Sequence, residues 1–131
     1  MQIDADAARS RQRVVLLVDS DEDSRRACRM VLSEAGFEVI TASDGAAALL
    51  VAAITSPDVL LLDVDAPAVS SIVLTGDIRR HGQLGEVQII ALTNEAHSER
   101  RDLHATRFDQ VLLRPPEPQR IVEAVWALVP A

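Results

Sequence analysis

The sequence predicts an α/β fold, a three-layer sandwich in which helices cover both faces of a five-stranded parallel sheet. Three observations predict it. Short apolar runs alternate strictly with longer segments of helical spacing, the pattern of parallel strands joined by right-handed crossovers. The runs are apolar at nearly every position, as strands buried on both faces must be. Four of them end in a polar residue, Asp19, Asp63, Thr93 and Arg114. In open α/β sheets that carboxyl-terminal edge is where ligands and chemistry sit. Two acids, a hydroxyl and a cation there suggest a phosphoryl site.

Val14–Val18 (VVLLV) is the first strand, closed by Asp19. Ser20 or Asp21 caps a helix to about Ala35, with Asp21, Glu22 and Asp23 at the positive end of its dipole. Ala27, Cys28, Val31, Leu32 and Ala35 recur at helical spacing, and Gly36 supplies the stop. Phe37–Ala42 is a second strand, after which Ser43 and Asp44 open an alanine-rich helix to about Thr55. Val59–Leu62 is the third strand, ended by Asp63. The loop Val64–Val69 leads to a helix near Ser70–Arg80 and a turn at His81–Gly85. Val87–Leu92 then forms the fourth strand, up to Thr93. A charged helix is expected over about Ala96–Ala105, and a fifth strand over Val111–Leu113, up to Arg114. Pro118 suits the first turn of the last helix, where its missing N–H is no loss, and that helix ends near Val129. Ile121, Val125 and Leu128 form its inward stripe. Trp126 lies at the flank, either packed at the core edge or half-exposed as a contact anchor.

Residues 1–12 read as a flexible polar tail and 13–131 as one domain. The net charge of −7 lacks the basic footprint that nucleic acid or an anionic membrane requires, so neither is an expected partner. No apolar run approaches the ~20 residues of a membrane span. Met1–Arg13 is not a signal peptide. The lone Cys28 fits a reducing compartment and a small core residue, so a cytoplasmic protein is expected. Phe37, Phe108 and Trp126 are the only aromatic residues, too few for a flavin or a base-stacking site. His81, His97 and His104 share no ligand spacing with the acids and read as solvated.

Together these residues resemble the receiver domains of bacterial two-component response regulators, over about Arg13–Val129. Leu16-Leu17-Val18-Asp19-Ser20-Asp21 stands where the family has a strand running into an acidic pair. Asp63 followed by Pro67 matches the phosphoacceptor segment, Thr93 the hydroxyl ending strand four, and Arg114-Pro115 the Lys-Pro ending strand five. The resemblance implies a flavodoxin-like sheet in the order 2-1-3-4-5. It also implies that Asp63 is the phosphoacceptor, Thr93 the switch hydroxyl and Arg114 the phosphate-facing cation, aimed back by a cis Arg114–Pro115 bond. Departures make the resemblance a divergent one, and one of them is a Thr93–Arg114 stretch one residue short. Ser20 replaces the second acid, Arg114 the lysine and Val111 the switch aromatic, and Ala66–Ser71 lacks the usual glycines.

Phosphoryl transfer to an aspartate needs a positioned carboxylate, a magnesium ion and a cation for the equatorial oxygens. The resemblance implies that Asp63 and the second acid bind the metal directly, with Asp19 assisting through water, and a neutral Ser20 at the second acid's position makes magnesium binding weak. Asp65 either restores the missing charge or is a solvated loop acid. Arg114 keeps the positive charge, is not interchangeable with lysine, and could pair directly with Asp63.

The expected function is that of a single-domain phosphorelay receiver without an output domain, non-enzymatic apart from self-phosphorylation on Asp63. The expected partners are a sensor histidine kinase or phosphotransfer protein, and a downstream protein or second copy docked on the last helix. The alternative is a phosphorylation-independent pseudo-receiver acting by protein contact. A remote alternative rests on Leu62-Asp63-Val64-Asp65, which resembles the nucleophile motif of haloacid-dehalogenase-like phosphatases. Pro67 and the absence of a later acidic pair stand against it.

Overall fold

Alternation along each strand sorts the core into two halves, because successive side chains point to opposite faces of a sheet. Val15 and Leu17, Val59 and Leu61, and Ile90 and Leu92 share one buried cluster; Leu16 and Val18, Leu60 and Leu62, and Ile89 and Ala91 share the other. The computed structural model describes residues 12–65, 71–82, 84–94, 108–114 and 117–129. In it, β1 (Val14–Val18), β2 (Glu38–Ala42), β3 (Val59–Asp63), β4 (Gln88–Thr93) and β5 (Gln110–Leu113) form one sheet in the order β2-β1-β3-β4-β5. All four pairings are parallel. This is the flavodoxin-like topology expected from the sequence.

Helices α1 (Glu22–Glu34) and α4 (Pro118–Leu128) cover the first face, contributing Cys28, Leu32, Ile121, Ala124 and Val125 to its cluster. Helices α2 (Gly45–Thr55) and α3 (Ser71–Arg80) cover the second, through Ala48, Ala52, Leu74 and Ile78. The caps follow the local sequence. The Asp21 carboxylate accepts the Ser24 N–H at 2.8 Å, and Asp44 does the same for Ala47 at 2.8 Å. Gly36, with φ of +99°, ends the turn after α1 in a conformation that only glycine enters freely. After α2 the same left-handed role falls to Ser56, φ +48°, where the sequence offers no glycine to mark it.

Element boundaries agree with expectation to within one residue at most ends. The polar tail up to residue 11, Pro67, the helix expected over Ala96–Ala105, His97, His104 and the Arg114–Pro115 bond lie outside the described residues. Among the described residues no helix is long and apolar enough to cross a membrane.

Candidate functional site

Sheet register brings the strand-end residues together. Val18 pairs with Leu62 across β1 and β3, so Asp19 and Asp63 are the next pair along. Both follow the alternation of Leu17 and Leu61, which turns them to the α1/α4 face. Arg114, two residues beyond Leu112, shares that face. Thr93 follows Ile89 and Ala91, and belongs to the opposite one. Asp19, Asp63 and Arg114 are therefore close neighbours, and Thr93 stands across the edge from them.

Asp19 is fully buried and Asp63 is 7% exposed. Each bends the chain by the same local device, its carboxylate accepting the N–H two residues on. Asp21 donates to Asp19 Oδ1 at 2.9 Å, and Asp65 donates to Asp63 Oδ1 at 3.0 Å. The Arg114 guanidinium spans the pair, with Nη2 3.0 Å from Asp19 Oδ2 and 3.5 Å from Asp63 Oδ2. Its Nη1 donates to Ser24 Oγ at 2.8 Å, and Ser24 Oγ in turn donates to Asp19 Oδ2 at 2.7 Å. Arg25 Nη1 holds the Asp19 carbonyl at 2.8 Å.

Ser24 thus belongs to the site although sequence reasoning passed over it. The available signal was its place in the first turn of α1, following directly from the Asp19–Asp21 segment. Beside Arg114 a cleft of about 400 Å³ opens between α1 and α4, with Ser24, Ala27, Cys28 and Ile121 in its walls.

The two carboxylates titrate in opposite directions. Burial pushes Asp19 up, but hydrogen bonds from Ser24, the Asp21 N–H and Arg114 together outweigh it and leave its pKa below the ordinary value. For Asp63 burial prevails. The Asp65 N–H and Arg114 offset it only partly, the neighbouring Asp19 adds to it, and the pKa stays raised. Burial also raises the Cys28 thiol, which keeps it in the unreactive form expected of a core residue.

Asp65 is placed as neither of its two sequence readings foresaw. Its Oδ1 accepts the Thr93 hydroxyl at 2.9 Å and its Oδ2 accepts the Asn94 N–H, so the carboxylate clamps the end of β4 to the loop after β3. Ser20 is exposed, and Val111 is half-buried against the α2/α3 cluster. Trp126 is 51% exposed while its ring packs on Phe37, with centroids 4.6 Å apart. It therefore combines a packed edge with a free one. Among the described residues no three acid, His or Cys side chains gather into a metal site. The donors suited to a hard cation are the two carboxylates of Asp19 and Asp63. Among the described residues each Oδ1 accepts a single N–H, which leaves it a lone pair.

The chain belongs to the response regulator receiver domain family, whose match covers residues 15–126. It is 44% identical over 66 residues to the transcriptional regulatory protein KdpE of Mycobacterium tuberculosis, a match covering 50% of this chain and 29% of that protein. The chain thus spans less than a third of that curated relative. The chemotaxis response regulator CheY4 of Vibrio cholerae superposes with a TM-score of 0.83 at 27% identity, covering 91% of this chain and all of that one. The receiver domain of the sensor histidine kinase PA1611 of Pseudomonas aeruginosa superposes with a TM-score of 0.80 at 21% identity, covering 90% of this chain and 98% of that one. It carries a magnesium ion in its active-site cleft.

Proposed function

We propose that this receiver accepts a phosphoryl group on Asp63 from a sensor histidine kinase or phosphotransfer protein, and that Arg114 is the resting counter-cation of the site. The observation that supports this reading is the convergence of Asp19, Asp63 and Arg114, with one guanidinium across both carboxylates. In the transfer an Asp63 carboxylate oxygen attacks the donor phosphorus. The new O–P bond forms as the bond to the donor's imidazole nitrogen or acyl oxygen breaks. Arg114, whose Nη2 is 3.5 Å from Asp63, can turn donors now engaged by Asp19 and Ser24 to the incoming phosphoryl oxygens, for which its planar fork is suited.

Magnesium, when bound, would be held by Asp19 and Asp63 and would neutralise charge on the phosphoryl group. It competes there with Arg114, and the Asp65 carboxylate is already engaged by Thr93 and Asn94. Binding is therefore weak. Ser20→Asp is expected to tighten magnesium affinity on the order of tenfold, read by titration calorimetry, because it adds the missing carboxylate. An unchanged affinity would show that the ion is held elsewhere.

The test of the main reading is incubation with acetyl phosphate and magnesium, followed by intact mass. We expect a gain of one phosphoryl group, lost in Asp63→Ala. No gain under any condition would leave the phosphorylation-independent receiver as the function, a second reading favoured by the ready-made Arg114 bridge. Output passes through protein contact at α4, with the half-exposed Trp126 as its anchor.

A further inference from the structure

We propose that the outer face of α2 is a contact for a second copy of this chain. Over Gly45–Thr55 the helix reads GAAALLVAAIT and carries no charged residue, whereas α1, α3 and α4 each carry at least two. Ala48 and Ala52 face the core. On the opposite side, at helical spacing, stand Ala46, Leu50 and Ile54, and Leu50 and Ile54 are 64% and 75% exposed. Val73 of α3, 59% exposed, extends the patch across a groove shared with Leu49 and Leu74. A surface helix ordinarily turns a polar face to water. α2 has none, and its outward leucine and isoleucine add nothing to the chain's own core.

The absence of charge selects the partner. A two-fold contact lays a surface against itself, so like charges meet wherever the surface is charged. On a chain of net charge −7 most faces would repel their own copy, and this face would not. Asp44 and Asp77 line the groove, but Asp77 is paired with Arg80 at 2.7 Å and Asp44 caps α2 through the Ala47 N–H, so both charges are already engaged. Leu50, Ile54 and Val73 leave on the order of 300 Å² of apolar surface in water, similar to the largest patch of a typical monomer. That falls short of the ~800 Å² a side of a standard stable interface, so the dimer is reversible and concentration-dependent. The face lies across the sheet from Asp19, Asp63 and Arg114, and pairing leaves that site open.

Sedimentation velocity on the full chain, from about 5 to 500 μM, tests this. The weight-average sedimentation coefficient should rise from monomer towards dimer. Leu50→Glu/Ile54→Glu should stay monomeric throughout with an unchanged circular-dichroism spectrum, since both side chains stand mostly in solvent. Trp126→Glu should dimerise like the wild type. A wild type that is monomeric at every concentration would overturn the proposal and leave the face to a different protein. A dimer that survives the double substitution, or is lost in Trp126→Glu alone, would overturn it by placing the contact elsewhere.

Discussion

Arg114→Met is expected to destabilise the fold by about 3 kcal/mol at neutral pH. Removing one partner of a buried ion pair leaves the other charge uncompensated, at a cost of roughly 3–5 kcal/mol, and the lower end applies because Arg114 keeps some solvent contact. Asp19 is fully buried, and among the described residues its Oδ2 would retain only Ser24 as a donor. Two facing carboxylates would then share a pocket with no guanidinium on either carboxylate among the described residues, and the pKa of each would rise.

The pH dependence follows from the sign of those shifts. In the wild type, the depressed pKa of Asp19 contributes stability above the ordinary aspartate range, lost as pH falls through its lowered value. The raised pKa of Asp63 acts the other way. It favours the fold at low pH, and that contribution is lost as pH rises from the ordinary range through the raised value. Without Arg114 both groups behave like Asp63, so the variant's deficit should shrink steadily on acidification. Asp63→Asn in the Arg114→Met background should recover much of the loss, because one of the two facing charges is gone. Denaturant titrations at several pH values read all of this. A deficit independent of pH, or no rescue by Asp63→Asn, would mean that Arg114 acts through packing rather than charge.

Leu61→Ala should cost about 3–4 kcal/mol, within the range for leucine truncation in a close-packed core. Leu61 has no exposed surface and sits mid-strand in β3, paired with Leu17 of β1 and Ile90 of β4. Both neighbouring strands are themselves buried on two faces, so little can collapse into the cavity. Asp63 lies two residues further along the same face, so the loosened strand should also slow acetyl-phosphate labelling. Leu113→Ala is the control. It removes an equal volume from the last strand, where the side chain is 55% exposed, and should change stability by less than about 0.5 kcal/mol. Similar losses at the two positions would argue against the two-sided core.

Acids at the two edges of the sheet do different work, a distinction the sequence shows only in part. Asp58 and Asp109 stand at the strand-entry edge and accept the N–H groups of Val14 and Ile89, each at 2.7 Å. They close the open ends of neighbouring strands. Asp19 and Asp63 stand at the exit edge and face each other. In sequence all four are simply acids beside apolar runs. Position relative to the run, after it rather than before it, separates them, and that feature was legible.

The sequence by itself determined the strands, most helix ends and the sheet edge that carries the polar residues. All of these depend on local rules: apolar runs, capping residues and the two-residue period of a strand. Tertiary structure alone decided which groups touch. Ser24 meets Arg114 across 90 residues of chain, and Asp65 meets Thr93 across 28. Those contacts depend on how loops leave the sheet and on which carboxylate lone pairs remain free after the turns have taken theirs. No periodicity encodes that choice. It is settled by competition among donors once the strands are side by side, which is why Asp65 clamps Thr93 while Arg114 spans the acidic pair.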